Sequence, residues 1–186
     1  MRVIALTTLL LTLGTAHADS PIVAGNPEAI DCFRATTLPD SVAAASIASC
    51  NTALSTARLT RREKASILVN RGILYNHAGE YAAAIRDFEN ALRLVPNFAE
   101  AYINRGNALF YQGKVDAAIE DYSKAIQYES GKLHTAYFNR GLVNEKRKQH
   151  QLAYADFVRA NELKPDWVLA AGRVELYRQQ GFDHSN

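Results

Sequence analysis

The chain has 186 residues, of which 48% are apolar and 22% are charged, a composition typical of a folded globular protein and not of a disordered one. Its formal net charge is only +2, and Lys and Arg are scattered along the sequence, so no basic face offers the array that nucleic-acid binding requires. Length and composition therefore indicate one domain of ordinary size and exclude nucleic acid as the expected partner.

The first 18 residues have the features of an export signal. Arg2 supplies a positive start, residues 3–13 form a short apolar run, and Ala-His-Ala at 16–18 fits the small-x-small cleavage rule. A membrane anchor is the weaker interpretation, because a span needs roughly 18 to 20 apolar residues. We expect a mature protein without a membrane span that begins at Asp19 and is exported to a bacterial periplasm, with secretion outside the cell as the alternative.

Residues 19–60 are predicted to form a degenerate helix pair. The first helix is expected from Pro27, with Asn26 as its N-cap, and Asp40 is expected to cap a second helix from Ser41 to about Ser55. The pair resembles the later copies in outline only, because Cys50 stands where those copies carry an aromatic residue.

Both cysteines, Cys32 and Cys50, lie in this pair. An even count in an oxidising compartment favours a disulfide, and closing a loop of about 18 residues would stabilise the fold by roughly 3 kcal/mol. Two alternatives remain open. The cysteines could be two small buried hydrophobic residues, or they could be a redox-active pair, for which the C-x-x-C spacing is missing.

From residue 61 to residue 167 the sequence repeats. Thr60 and Glu63 form a capping box that starts the first copy. The three copies cover residues 65–98, 99–133 and 134–167. Their shared glycines, which are 34 and 35 residues apart, are Gly72, Gly106 and Gly141. A fixed period in this range is typical of stacked helix pairs.

Other positions recur at constant offsets from each glycine. Four residues before it is a large apolar residue, at Leu68, Tyr102 and Tyr137. Twelve after it is an alanine, at Ala84, Ala118 and Ala153. Sixteen after it is an aromatic residue, at Phe88, Tyr122 and Phe157. Nineteen after it is again an alanine, at Ala91, Ala125 and Ala160. Small residues let two antiparallel helices approach, and we expect the bulky residues to fill the space between neighbouring pairs.

These residues resemble the tetratricopeptide repeat, whose glycine, alanine, aromatic and proline signature they meet, with Pro96 and Pro165 after the second helices. The resemblance implies an all-α fold, an α-solenoid of antiparallel helix pairs. It would contain about three full repeats, the degenerate N-terminal pair and a C-terminal capping helix.

Residues 168–186 are expected to supply that capping helix and a tail. Asp166 is predicted to cap a helix from Trp167 to about Gln180. One face is expected to cover the open end of the array, through Val168, Leu169, Val174 and Leu176. The opposite face is expected to stay in water, through Arg173, Glu175, Arg178 and Gln179.

An asparagine precedes each Arg-Gly step, at Asn70, Asn104 and Asn139. A side-chain amide that recurs once per repeat, on the helix lining the inner curve, forms a row of paired donors and acceptors. In some tetratricopeptide superhelices such a row holds the backbone of an extended peptide, and the resemblance implies the same role here. The alternative is that these amides cap or bridge neighbouring helices.

Helical offsets from the asparagines predict the other inward positions of a peptide-binding groove. These are Val69, Ile73, Asn76 and His77 in the first repeat, Ile103, Asn107, Phe110 and Tyr111 in the second, and Phe138, Leu142, Glu145 and Lys146 in the third. The middle of this surface is aromatic and apolar, which favours an apolar or mixed extended segment or a partner helix as the ligand. Alternatively, the aromatic residues serve only to fill the core.

The arginine beside each asparagine is interpreted as structural. An aspartate stands just before each aromatic residue of the second helices, so three matched pairs are predicted: Arg71 with Asp87, Arg105 with Asp121, and Arg140 with Asp156. An arginine can bridge a carboxylate through two hydrogen bonds. Independent solvated charges are the alternative.

The sequence offers little for catalysis. The histidines lack metal-ligand spacing, no glycine-rich phosphate loop is present, and neither cysteine is a free nucleophile if the disulfide forms. We therefore expect neither a cofactor nor enzymatic activity. The sequence instead predicts an exported adaptor that binds a peptide or helix of another envelope protein and is itself a monomer or weak homodimer. The alternative is a self-associating structural protein that uses its terminal helices as the interface.

Overall fold

The computed structural model describes residues 27–36, 43–56, 58–128 and 131–182. Within these ranges the chain forms α-helices and no strand. The helices are α1 Pro27–Ala35, α2 Ala43–Thr56, α3 Arg61–His77, α4 Tyr81–Leu94, α5 Ala99–Tyr111, α6 Val115–Gln127, α7 Leu133–Lys146, α8 His150–Leu163 and α9 Val168–Gln179. Consecutive helices contact one another along the whole series, as in a solenoid. The all-α repeat architecture predicted from the sequence is confirmed.

The start of α3 is set by the capping box. The backbone N–H of Glu63 donates to the Thr60 hydroxyl at 3.2 Å, and the backbone N–H of Thr60 donates to the Glu63 carboxylate at 2.7 Å. These two bonds satisfy donors that a helix start leaves without partners. The hydrogen bond from the Thr60 backbone also lowers the pKa of the Glu63 carboxyl.

The turn between the two helices of each repeat needs a left-handed residue. Gly79 and Gly113 take φ values of 76° and 79° there. In the third repeat the same place is held by Lys148, with φ 60°. A side chain at positive φ is strained relative to glycine, so the third turn is less favourable than the other two.

The signature glycine of each repeat lies directly under an aromatic ring of the same repeat. A Cβ atom on Gly72 would stand 2.6 Å from Cε1 of Phe88, and one on Gly106 would stand 2.7 Å from Cε1 of Tyr122. A Cβ atom on Gly141 would stand 2.8 Å from Cε1 of Phe157. The aromatic residues therefore pack between the two helices of their own pair. The Phe157 ring also lies 5.8 Å from the Tyr177 ring of α9, the next helix of the array. For Phe88 and Tyr122, contact with a neighbouring pair stays a prediction.

Three apolar clusters run along the described helices. One joins α1, α2 and α3 around Cys32 and Cys50, a second lies around α3, α4 and α5, and a third extends from α5 to α9. The recurring alanines of the second helices are fully buried at these contacts. Because each cluster includes side chains from successive helix pairs, the core is continuous along the array.

Some of the predicted helix ends can be compared with the structure. Asn26, Asp40 and Ser41 lie outside the described residues, so their predicted roles stay predictions. Helix α2 ends at Thr56, where an end at about Ser55 was expected. The last helix begins at Val168 with Trp167 at its N-cap, and no side chain caps it. The predicted cap at Asp166 is therefore wrong.

The face of α9 that closes the array also differs from the prediction. Of the four residues predicted to cover the array, only Val174 is buried. The side chains of Val168, Leu169 and Leu176 are 81%, 55% and 42% exposed. The buried side chains of α9 are Ala170, Val174 and Tyr177. Arg173, predicted to stay in water, lies 3.0 Å from the carboxylate of Glu145 on α7. The helix is thus rotated from the predicted orientation, with an apolar face outward.

Candidate functional site

The first helices of the three repeats, α3, α5 and α7, contact one another in series. Each also packs on the second helix of its own repeat. This arrangement puts the three first helices along one side of the array, where the predicted groove positions lie. The α3–α5–α7 surface, called the inner face below, is therefore the candidate site.

Most of the predicted groove side chains are buried. Those with less than a tenth of their surface exposed are Val69, Asn70, Ile73, Asn76, Ile103, Asn104, Asn107, Phe110, Phe138, Asn139 and Leu142. His77 is half-buried, while Tyr111 and Lys146 are exposed. The apolar members fill the contacts between successive first helices, so they position the inner face more than they line it.

The asparagines of the second and third repeats bond within the protein. The Nδ2 of Asn139 donates to the Oδ1 of Asn107 at 2.9 Å, and the Tyr122 hydroxyl donates to the same oxygen at 2.8 Å. The Nδ2 of Asn104 donates to the carbonyl of Glu100, one turn earlier, at 2.8 Å. Asn139 therefore bridges neighbouring first helices, as in the alternative that the sequence left open, whereas the Nδ2 of Asn104 bonds within its own helix.

Two side-chain oxygens of the asparagine row have no donor in the described part of the chain. They are Oδ1 of Asn70 and Oδ1 of Asn104, on residues only 4% and 2% exposed. The side-chain oxygen and nitrogen of Asn76, farther along α3, also lack a hydrogen-bond partner in the described part of the chain. A buried polar atom without a partner costs about 1–3 kcal/mol, so these amides are unfavourable for folding alone.

The exposed end of the inner face is aromatic. The Tyr111 ring stacks on Tyr81 with centroids 5.3 Å apart and meets Phe110 edge-on at 5.9 Å. The Lys146 ammonium lies 4.6 Å from the centre of the Phe110 ring. Tyr81 begins α4 and was missed by the sequence reasoning, which placed only first-helix residues in the groove. These rings offer flat apolar contact area with one cation beside it.

The three arginines beside the asparagines pair with the three aspartates. Both oxygens of Asp87 accept from Arg71 at 2.7 Å, and both oxygens of Asp121 accept from Arg105 at 2.7 Å. Arg140 donates to Asp156 at 3.0 and 2.7 Å. The hydrogen bond with Asp121 raises the pKa of the Arg105 guanidinium. Each two-bonded pair links the two helices of one repeat.

The same arginines also reach the helix pair before their own. Arg71 donates to the Asn51 side chain at 2.6 Å, and Arg140 donates to the Ser123 hydroxyl at 3.0 Å. In the preceding pair of Arg105, the position that corresponds to Asn51 and Ser123 is held by Glu89. The negative charge of Glu89 raises the pKa of Arg105, although less than Asp121 does. The sequence reasoning missed this link, although the polar residue that follows Cys50, Phe88 or Tyr122 in the preceding pair marks it.

The third repeat is fastened to α9 by polar contacts. Arg173 donates to both carboxylate oxygens of Glu145 at 3.0 Å, and the Tyr177 hydroxyl donates to Glu145 at 3.3 Å. Burial, followed by the nearby Glu145 charge, raises the pKa of the Tyr177 hydroxyl. Glu145, predicted to face a ligand, is therefore engaged by the capping helix.

The described residues contain no group of His, Cys, Asp and Glu side chains placed to hold a metal ion. Cys32 and Cys50 are joined in a disulfide with Cα atoms 4.8 Å apart. Among the described helices, none combines the length and the apolarity needed to cross a lipid bilayer. What the inner face offers is hydrogen-bonding amides and aromatic surface.

Three segments of the sequence match family models. Residues 99–131 and 134–166 each match the tetratricopeptide repeat, and residues 72–112 match the TPR repeat. No curated protein matches the sequence.

Solved structures share the fold. The first TPR of Spaghetti (RPAP3), bound to the HSP90 peptide SRMEEVD, is 25% identical, with a TM-score of 0.59, covering 63% of this chain and 93% of that one. MamA is 23% identical, with a TM-score of 0.65 over 81% of this chain and 85% of its own. The Arabidopsis OM64 TPR domain is 24% identical, with a TM-score of 0.58 over 63% of this chain and 99% of its own.

The stacked helix pairs, together with an inner face of amides and rings, define an α-helical repeat protein that mediates protein–protein interaction. Such repeats build scaffolds rather than catalytic centres as a rule. The chain is a tetratricopeptide repeat protein.

Proposed function

We propose that this protein is an exported adaptor whose inner face binds a peptide or helix segment of another envelope protein. In this proposal residues 1–18 are a signal that is removed on export, residues 19–60 close one end of the array, and residues 168–186 close the other. The three repeats between them, 61–167, carry the binding surface. No step of this function requires a cofactor or a catalytic group.

The observation that carries the proposal is the pair of unpartnered oxygens on Asn70 and Asn104. They stand at the same position of successive repeats, where they would accept hydrogen bonds from the backbone N–H groups of a bound segment. Because both residues are almost fully buried, a ligand reaches the oxygens only as neighbouring side chains move aside. Binding would then remove a penalty that folding leaves in place.

Further support comes from the compartment and from a structural neighbour. Residues 1–18 have the sequence pattern of an export signal, and the disulfide between Cys32 and Cys50 suits an oxidising compartment. The RPAP3 domain, at 25% identity, holds a peptide of its partner. In this chain the exposed aromatic end, with Tyr81 and Tyr111, would hold apolar side chains of the segment.

The test compares two variants in a capture experiment with an envelope extract. The variant N70A/N104A should fold with little change in stability, because the lost bond from Asn104 to the Glu100 carbonyl is offset by removal of the two unpartnered oxygens. It should lose most of the captured protein. The control N144A removes an amide bonded to Asp156 at 3.1 Å, so it should lose stability by about 1 kcal/mol and keep the partner. Peptides from the captured protein then locate the bound segment. Equal capture by N70A/N104A and by the unchanged protein would refute the proposal.

One observation favours a second candidate, self-association as a structural protein. Val168, Leu169 and Leu176 form an outward apolar face on α9, where a terminal repeat ordinarily presents polar residues. Two copies could bury this face against each other. Sedimentation velocity separates the candidates, because a stable dimer that L169K/L176K converts to a monomer would support self-association. A monomer that captures a partner would support the adaptor.

A further inference from the structure

Positive charge is concentrated at the start of α3, away from the amides of the inner face. Four of the seven residues from 58 to 64 are basic, Arg58, Arg61, Arg62 and Lys64, and Glu63 is the one acidic residue among them. All four basic side chains are exposed. This cluster is a local exception to the scattered distribution of Lys and Arg along the rest of the sequence.

The charge of this cluster is not balanced within the described residues. No ion pair there involves any of its four basic side chains, whereas the exposed Arg147 and Arg159 pair with Asp116 and Glu162. The Glu63 carboxylate accepts from the backbone of Thr60. The cluster therefore keeps a net positive field that attracts an anion.

A cleft opens beside this cluster, between the start of α3 and the end of α4. Its volume is about 290 Å³, and its lining residues are Lys64, Leu68, Asn90, Arg93 and Leu94. Lys64 and Arg93 are exposed cations, and the Asn90 side chain accepts a hydrogen bond from Arg93. Leu68 and Leu94 supply the apolar part of the same lining. A carboxylate next to an aliphatic group would satisfy both parts of this lining.

The cleft is separate from the proposed inner-face site. Leu68 and Asn70 lie two residues apart on α3, which places their side chains about 200° apart around the helix axis. A ligand in the cleft would therefore contact the opposite side of α3 from a segment held by the asparagine row.

We propose that this cleft is a second docking site, for an acidic protein segment that carries a glutamate or aspartate next to an aliphatic residue. Its volume is near the lower end of ligand pockets, about 300 Å³, so it holds one or two side chains. The proposal favours a protein over a membrane, because Leu68 is buried and Leu94 is half-buried, so neither is an exposed apolar side chain that could insert into lipid. It favours a protein over nucleic acid, because no aromatic side chain among the lining residues could stack on a base.

Fluorescence anisotropy with a labelled peptide of alternating glutamate and leucine tests the proposal on the purified protein. The variant K64Q/R93Q should weaken binding by about tenfold, since each lost charged hydrogen bond is worth a factor of several. The control K114Q/K164Q removes two exposed cations elsewhere and should change binding by less than about twofold, because only distant screened charge is lost. N70A/N104A should leave this affinity unchanged, which separates the cleft from the inner face. Circular dichroism verifies that each variant is folded.

Several results would overturn the proposal. These are failure of the peptide to bind, equal weakening by the two charge variants, and equal binding of a peptide in which glutamine replaces glutamate. A peptide with serine in place of leucine should bind more weakly, and equal binding would contradict the apolar part of the site. Tighter binding to phosphatidylglycerol vesicles or to duplex DNA, lost in K64Q/R93Q, would assign the cluster to a membrane or to nucleic acid instead.

Discussion

The glycine of each repeat and the aromatic residue sixteen positions later form one packing unit. At Gly106 the added methyl group of alanine would approach the Tyr122 ring to 2.7 Å. The ring cannot move freely, because Tyr122 is fully buried and its hydroxyl donates to Asn107. We predict that G106A lowers the free energy of unfolding by about 2 kcal/mol, measured by urea denaturation.

Gly172 on α9 provides the matched control for this substitution. It is also helical, but no atom outside its own helix lies within 4 Å of a Cβ placed there. Because alanine favours helix over glycine, G172A should raise the stability by about 0.5–1 kcal/mol. If the two variants had the same effect, contact with the ring would not be the reason for glycine in the repeat.

The buried arginine–aspartate pairs also stabilise the protein through contacts of individual residues. In D121N the amide replaces the carboxylate that accepts two hydrogen bonds from Arg105, and it leaves a largely buried guanidinium without its counter-charge. We predict a loss of about 2 kcal/mol, seen as a lower midpoint of urea unfolding. In E162Q, which breaks the exposed pair with Arg159, the change should stay below about 0.5 kcal/mol. Similar effects in both variants would argue against a structural role for the buried pair.

At the scale of helices, the N-terminal pair is held by a covalent bond in place of an aromatic ring. Cys50 is fully buried and bonds to Cys32, and the arginine of the next repeat reaches Asn51 on the same helix. Because the small cysteine side chain cannot fill the space that Phe88 fills in the first full repeat, the covalent link compensates for missing apolar contact.

Removal of this disulfide tests that interpretation. C32S/C50S should lower the stability by about 3 kcal/mol, as expected for a loop of this length, and the loss should fall on α1 and α2 first. Urea unfolding and amide hydrogen exchange measure the two parts of the prediction. The unchanged protein in reducing agent should behave like the variant. Unaltered exchange in α1 and α2 would show that apolar contacts with α3 are sufficient.

At the scale of the whole molecule, stability should depend on pH through His134. Burial lowers the pKa of this imidazole from its ordinary value of 6.5, with further lowering by Lys164 and Lys132 against an opposite effect of Asp166. Its ring meets Trp167 edge-on between the third repeat and α9. At a pH between the lowered pKa of His134 in the folded protein and its ordinary pKa in the unfolded chain, the unfolded chain binds more protons than the folded one. The folded protein therefore keeps its full stability above pH 6.5 and loses part of it as the pH falls from there through the lowered pKa.

The measurement is the melting temperature at pH 7.5 and pH 5.5. The decrease on acidification should be smaller in H134Q than in the unchanged protein, because other titrating groups contribute equally to both. An identical decrease in the two proteins would show that His134 does not contribute to the pH dependence of folding.

The sequence by itself determined the helical repeat, its three copies and the residue types at each offset, because a period of 34 or 35 residues with small and aromatic positions permits few other folds. The sequence also predicted the arginine–aspartate pairs, because an arginine and an aspartate recur at the same spacing in all three copies. Only the tertiary structure decided what each position contacts. It placed the aromatic rings on the glycines of their own repeats, linked Arg71 to Asn51, and left the oxygens of Asn70 and Asn104 without donors. It also turned the apolar face of α9 outward, since the orientation of a terminal helix depends on contacts such as Arg173 with Glu145, which periodicity along the chain does not specify.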